Sequence, residues 1–599
     1  MRFEMTIAGI AAFLAQGGTV EQVVGETYRR IAECPDPAIW ISLRPQEDVL
    51  AAARELDRSA SPRRPLHGVP FAIKDNIDLA GLQTTAACPD FAYEPQHDAP
   101  VVARLRSEGA LAIGKTNMDQ FAMGLVGTRS PYGAPHCVFN RDYISGGSSS
   151  GSAVAVARGL AAFSLGTDTA GSGRVPAAFN NIVGMKPTLG ALSSRGVTPA
   201  CRSLDCVSIF AVSCEEAMKI LEIASAYDDD DPFSRVARPR RLSEVPKVGV
   251  VPPDQQEFYA DEAMKACYRR ALDRAAELGW ETVEIDFSPF AEAARALYGG
   301  PRVAERLAAL ETSLTAFADR FDPAVREIAE SGRSYSAADA FRAGYELADL
   351  KRRAEREWRK VDVLMLPTTP SIYRIADVMA DPIRLNARLG HYTNFVNLLD
   401  CAAVAVPAGF SPLGLPFGVS IVGPAWSDAD LARYADQLHR HLSPNYGLHL
   451  TALPKTAPKP GDGQVLLAVV GAHLRDQPLH WQLADRNARF VGRACTNAHY
   501  RLYALDTAPP KPGLVRDPDF IGGGIEVEIF SLDFEAFGSF VAEVPPPLAI
   551  GNVSLEDGSN VKGFVCESAA LSNACEITGY GGWRAYLSDR PATRAQASA

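Results

Sequence analysis

Apolar residues recur at helical spacing through residues 6–60, opposite a polar face, and predict helices there. From 66 to 127 the pattern shortens. The runs PLHGVPFAIKDN and GALAIGKTN read as short buried strands ending in polar turns, and ARLRSEG between them reads as a helix stopped at Gly109. SAVAVARGLAAFSLGTD, residues 152–168, reads as a small-residue helix running into a buried strand. Helices alternating with buried strands predict an α/β domain built on a mainly parallel or mixed sheet. Residues 255–360 are rich in Ala, Glu, Arg and Leu at helical spacing with few breakers, and predict a helical insertion covering that core. VDVLMLPTTP then returns to a buried strand, and residues 392–424 read as helix, strand, turn, strand.

The stretch PKTAPKPGDG, residues 454–463, is the best linker candidate because Pro, Lys and Gly dominate it. After it come β-branched runs separated by glycine turns: VLLAVVGAH, RLYALD, GGGIEVEIFSL and VKGFVCES. They predict a small separate domain of β or α+β type. The expected organisation is a large domain over 1–450, a linker over 451–463, a second domain over 464–590 and a disordered tail over 591–599.

Length and composition narrow the function. A chain of 599 residues is too long for one ordinary core. Its net charge of −11 disfavours nucleic acid and anionic membranes as partners, since both need a basic surface. No run of about 18 apolar residues predicts a membrane span. The N-terminus, MRFEMTIAGIAAFLAQGGT, carries Glu4 and lacks a basic flank, so it reads as a helix and not as a signal peptide. Eleven scattered cysteines without a CxxC pair fit reduced thiols and a cytoplasmic location. No cysteine–histidine spacing suits zinc, and the GGSSSG loop lacks the Lys–Ser/Thr ending of a phosphate-binding loop. No metal, nucleotide or other cofactor is therefore expected.

Candidate chemistry lies in three runs. FAIKDN places Lys74 at the end of an apolar strand, SGGSSSG places Ser148 in a small-residue loop, and GTDTAGSGRVPA, residues 166–177, places Ser172 between two glycines. Each alone has an ordinary reading, as a surface lysine, a flexible turn and a loop serine. None of the ten histidines lies near Ser172 to take its proton.

Together and in this order the three runs resemble the amidase signature family over about residues 5–445, as do GKTNMDQFAMG at 114–124 and NNIVGMKPTLG at 180–190. The resemblance implies an α/β amidase signature fold, a mixed sheet covered by helices, and a Ser–cis-Ser–Lys triad. Ser172 would be the nucleophile, Ser148 the bridging serine after a cis peptide bond, and Lys74 the base. A lysine with its ordinary pKa of about 10.4 cannot accept a proton at neutral pH, but burial disfavours its charged form. The Ser148 hydroxyl both donates and accepts, so it can relay the proton. Backbone N–H groups of Thr169, Ala170, Gly171 and Ser172 would form the oxyanion hole, where bulky side chains would block approach. Asp168 and Arg174 read as residues that hold the loops.

Ser150 and Ala170 stand where the wider family usually has glycine. With DQFAMGLVGTRSPYG at 119–133 and ALYGGPRVAERLAAL at 296–310, they look like the allophanate hydrolase branch. That branch implies Tyr298 and Arg306 as substrate-binding residues, with Gly124 giving room or a carbonyl beside the substrate. Eight residues apart in a helical region, Tyr298 and Arg306 would share one face. The residues alone favour another reading, in which Arg306 pairs with Glu305 or Glu311 on a solvated helix. The implied reaction is hydrolysis of allophanate to ammonia and N-carboxycarbamate in urea, biuret or s-triazine degradation. The implied partners are a second copy in a homodimer and a separate biotin-dependent urea carboxylase that makes the substrate.

GAHLRDQPLHWQL at 471–483 and TAPPKPGLVRDPDFIGGGIEVEIFSL at 507–532 look like the C-terminal domain of full-length members of that branch, an α+β fold similar to γ-glutamyl cyclotransferase-like proteins. The resemblance implies decarboxylation of N-carboxycarbamate there, with His473 as the candidate for that step and Arg516 and Lys562 as candidates to hold carboxylates. A docking role for this domain, another small carboxylated amide as substrate, and membership of a glutamine-dependent transamidase complex are the alternatives.

Overall fold

Strands buried on both faces read as unbroken apolar runs, and here they form the middle of an eleven-stranded mixed sheet. The computed structural model describes residues 3–59, 63–453, 463–507, 509–556 and 558–589. The chain divides into two compact units, Met1–Pro454 and Lys455–Ala599. Most of the linker expected over 451–463, and the whole tail expected over 591–599, lie outside the described residues.

In the large unit the strands run across the sheet in the order Trp40–Leu43, Leu111–Thr116, Pro70–Lys74, Phe163–Thr167, Val207–Ala211 and Val183–Lys186, then Cys401–Phe410, Pro416–Pro424, Val363–Pro367, Lys247–Val250 and Glu281–Glu284. Pro70–Lys74 lies parallel to both Leu111–Thr116 and Phe163–Thr167, with Ile73 opposite Leu165. Every residue of these three strands is buried. Helices cover the sheet. Val20–Glu33 starts at a reciprocal cap in which Thr19 accepts from the Gln22 N–H and Gln22 accepts from the Thr19 N–H. Helix Ser150–Ala157 is buried at every position, which its run of Ser, Gly, Ala and Val permits.

Two strands differ from the sequence reading. Trp40–Leu43 interrupts the region expected to be helical over 6–60 and pairs antiparallel with Leu111–Thr116. Four half-buried residues are too few for an alternation to stand out. Glu281–Glu284 interrupts the helical insertion over 255–360 and extends the sheet beside Lys247–Val250. As a largely exposed edge strand it carries polar side chains and leaves no apolar signal.

The small unit holds a five-stranded sheet in the order Arg489–Cys495, Glu526–Asp533, Gln464–Val469, Asn560–Cys566 and Leu548–Ser554, and a three-stranded sheet in the order Lys511–Arg516, Tyr500–Leu505 and Cys575–Glu576. Its own core gathers Leu467, Val469, Leu502, Val527, Phe530 and Trp583. Among the described residues no helix is long and apolar enough to cross a membrane.

Candidate active site

Ligands of open α/β sheets bind beyond the carboxyl ends of parallel strands, and the candidate residues converge there. Lys74 ends strand Pro70–Lys74, and Thr167 ends the neighbouring parallel strand. Ser148 follows a cis Gly147–Ser148 peptide in the loop entering helix Ser150–Ala157. The buried Lys74 Nζ donates to Ser148 Oγ at 2.7 Å and to Thr167 Oγ1 at 2.6 Å. Burial pulls the Lys74 pKa down to about 7, against the opposing charges of Asp119, Asp205 and Asp168. A lysine in this setting is half neutral near pH 7 and can accept a proton.

Ser172 lies in the turn between strand Phe163–Thr167 and helix Val175–Phe179, and only 3% of it is exposed. Its hydroxyl donates to the Gly124 carbonyl at 3.3 Å. Among the described residues no hydrogen bond joins Ser172 to Ser148; Lys74 bonds Ser148, and the Ser172 hydroxyl is turned to Gly124 instead. The turn is held from below. Asp168 accepts the N–H groups of Gly171 at 2.8 Å and Gly173 at 3.0 Å, and the Arg174 guanidinium at 2.9 Å on each oxygen. Burial pushes the Asp168 carboxyl up, but Arg174 outweighs it and holds the group below its usual range.

This changes the donor set. Gly171, expected among the oxyanion donors, has its N–H engaged by Asp168. The N–H groups of Thr169, Ala170 and Ser172 have no hydrogen-bond partner among the described residues and remain free for an oxyanion. Gly171 itself is required by space and conformation. Its φ is +132°, and an added Cβ would lie 2.5 Å from Thr393 Oγ1.

Ala170 packs with Leu297 and Tyr298, which brings the substrate-binding candidates beside the loop that carries these free N–H groups. Arg306 is 1% exposed, and its Cζ sits 4.2 Å from the centre of the Tyr298 ring. The two do not share one helix face. Helix Ser288–Ala296 ends before Tyr298, the chain turns through Gly299, Gly300 and Pro301, and Arg306 sits on the next helix, Val303–Phe317. Nor does Arg306 pair with its acidic neighbours. Glu305 accepts from Ser203, and Glu311 pairs with Arg333. Among the described residues Arg306 makes one hydrogen bond, to the Leu297 carbonyl at 3.1 Å, and its Nε and second terminal nitrogen have no hydrogen-bond partner. A buried guanidinium with open donors is costly, and an anion satisfies it.

The Gly124 carbonyl accepts the Ser172 hydroxyl, and an added Cβ at Gly124 would lie 2.5 Å from Asp119 Oδ2. Sequence reasoning missed Asp119, Thr167 and Asp205. The buried Asp119 accepts the N–H groups of Val126, Gly127 and Arg129, and its own N–H donates to the Ser148 carbonyl. Its place in GKTNMDQ was the available signal, whereas Thr167 is revealed only by strand register. Among the described residues no group of three or more His, Cys, Asp or Glu side chains is arranged to hold a metal ion.

In the small unit, His473 is 8% exposed, stacks on Phe564 with ring centres 4.9 Å apart, and shares a 2.7 Å hydrogen bond between Nε2 and Gln482. Burial holds its pKa below the usual value, and Lys511 and His480 add to that effect while Gln482 opposes it. Arg516 is exposed at the end of strand Lys511–Arg516, and the exposed Lys562 donates to Asn552 at 3.0 Å. Among the described residues, no hydrogen bond or ion pair joins either cation to His473.

Residues 22–432 match the family model described as Amidase, and residues 465–588 match that described as Allophanate hydrolase C-terminal domain. The chain is 44% identical over 570 residues to urea amidolyase of Saccharomyces cerevisiae, an alignment covering 92% of this chain and 31% of that protein. It thus spans about a third of the length of that relative. A glutamyl-tRNA(Gln) amidotransferase chain of Oceanobacillus iheyensis is 32% identical over 449 residues, covering 70% of this chain and 92% of that one. The solved structure of Kluyveromyces lactis allophanate hydrolase is 40% identical, with a TM-score of 0.73 over 97% of this chain and 99% of that chain.

Proposed function

The chain belongs to the amidase family, and on that premise we propose that it hydrolyses allophanate to ammonia and N-carboxycarbamate. The observation that carries this reading is the buried Arg306, open on two nitrogens beside Tyr298 and the oxyanion loop. A small amide bearing a carboxylate supplies the missing anion and places its carbonyl towards Ser172. The similarity to allophanate hydrolase of K. lactis and to urea amidolyase of S. cerevisiae supports the same substrate.

Neutral Lys74 draws the proton of Ser172 through the Ser148 hydroxyl, and Ser172 attacks the carbonyl carbon. The free N–H groups of Thr169, Ala170 and Ser172 receive the oxyanion. The proton returns through Ser148 to the leaving nitrogen, ammonia departs, and an acyl-enzyme remains on Ser172. Water, activated by the same relay, releases N-carboxycarbamate. The second domain, over 464–590 behind a linker at 451–463, would decarboxylate that product at His473, giving ammonia and carbon dioxide overall. The same proposal includes a cytoplasmic homodimer, fed by a separate biotin-dependent urea carboxylase.

The test is the pH dependence of ammonia release from allophanate. Charged Lys74 is inactive and neutral Lys74 is active, so kcat/KM should rise with pH through about 7 and then level. A profile that is flat from pH 5.5 to 8.5 would exclude Lys74 as the base.

A further inference from the structure

We infer that Asp205 is a positioning residue that joins the oxyanion loop to the place where the substrate carboxylate binds. The inference rests on the proposed hydrolysis of a carboxylated amide at Ser172. One carboxylate oxygen of Asp205 accepts the Thr169 hydroxyl at 2.5 Å. The other closes its own turn by accepting the N–H groups of Ala200 at 2.9 Å and Cys201 at 3.1 Å. In the same turn Ser203 donates its N–H to Glu305 at 2.7 Å and its hydroxyl at 2.9 Å. Glu305 precedes Arg306 on helix Val303–Phe317. The turn over residues 200–205 is therefore fastened on one side to Thr169, a free oxyanion donor, and on the other to the helix that carries Arg306. Those two attachments set the span between carbonyl and carboxylate that a substrate must match.

The charge of Asp205 is placed differently from its neighbours'. Three aspartates act on Lys74. Asp168 is paired with Arg174, whereas burial pushes the Asp119 carboxyl up against the nearby charge of Arg129 and three backbone N–H groups. Around Asp205 stand the Thr169 hydroxyl, the backbone donors, the Cys201 thiol and Lys74, and the charge of Arg306 also acts on it. Burial pushes its carboxyl up to about 6, against those donors and Arg306. A substrate carboxylate on Arg306 competes for the charge that steadies Asp205, so the turn couples anchor, oxyanion loop and base.

Two variants of the full chain separate position from charge, each followed as kcat, KM and the acid limb of kcat/KM on allophanate, with folded content from the melting curve. Thr169→Val keeps the Asp205 carboxyl and removes the bond. Its kcat should fall about tenfold or more, and because loss of that donor also pushes the carboxyl up, its acid limb should move less than that of Asp205→Asn. Asp205→Asn keeps the shape and removes the charge. Its kcat should fall similarly, KM should not rise, and the limb should move to lower pH because Lys74 loses a neighbouring anion. Wild-type kcat with an unmoved limb in Asp205→Asn overturns the inference. So does a loss in both variants that merely tracks folded content. If wild-type protein releases no ammonia from allophanate, the substrate reading fails instead, and the limb shift is read on a short primary amide that it does hydrolyse.

Discussion

Ser172→Ala should lower ammonia release from allophanate by at least about a thousandfold, the scale on which loss of a covalent nucleophile is felt. The fold should survive. The lost hydroxyl makes a single 3.3 Å hydrogen bond to the Gly124 carbonyl, a long contact worth about 1 kcal/mol or less. Asp168 holds the turn through Gly171, Gly173 and Arg174, and none of these contacts involves the Ser172 side chain. The melting temperature should therefore stay within a few degrees of wild type. The measurement is single-turnover ammonia release by variant and wild type, with matched melting curves. Activity within tenfold of wild type would remove Ser172 from the chemistry.

Arg306→Leu should divide substrates by charge. Allophanate loses its anchor, and a buried charge-assisted contact of this kind is worth about 3–5 kcal/mol, or roughly two to four orders of magnitude in kcat/KM. Biuret, which has an amide where allophanate has the carboxylate, should change by less than about tenfold. Stability should change little, because the loss of a guanidinium with two unpaired nitrogens offsets the loss of the charge that acts on Asp205. Arg306→Lys should recover only part of the loss, since a lysine keeps the charge without the planar fork. These are steady-state comparisons on two substrates with a melting curve beside them. Equal losses on allophanate and biuret would show that Arg306 supports the fold of the site and not the carboxylate.

Much of the scaffold is legible in the chain because burial on both faces leaves a plain mark. FAIK, LAIGKT and FSLGT are runs of mainly apolar and small residues that lead into polar turns, and each lies in a fully buried strand. Edge strands lack that mark, which is why WISL at 40–43 and ETVE at 281–284 pass for helix or insertion. Ser172, Ser148 and Lys74 are named by short motifs, yet their geometry depends on pairing register. Thr167 reaches Lys74 only because two parallel strands end together. Tyr298 and Arg306 meet across a Gly–Gly–Pro break between two helices and not along one helix face, which residue spacing cannot show. The N–H of Gly171 looks as available as its neighbours' until Asp168 is seen to take it. Asp205 carries no sequence signal at all, because its partners lie 36 residues upstream at Thr169 and within its own turn.

On the proposed reading the site selects a carboxylated amide and needs no protein other than this chain to cleave it. Initial rates of ammonia release by the purified wild-type chain from allophanate and from glutamine, at equal concentration and pH 8, test it most directly. The account predicts turnover of allophanate at least about a hundredfold faster than glutamine, with no other protein added. Comparable or faster release from glutamine would contradict it and turn the reading towards the amidotransferase relatives.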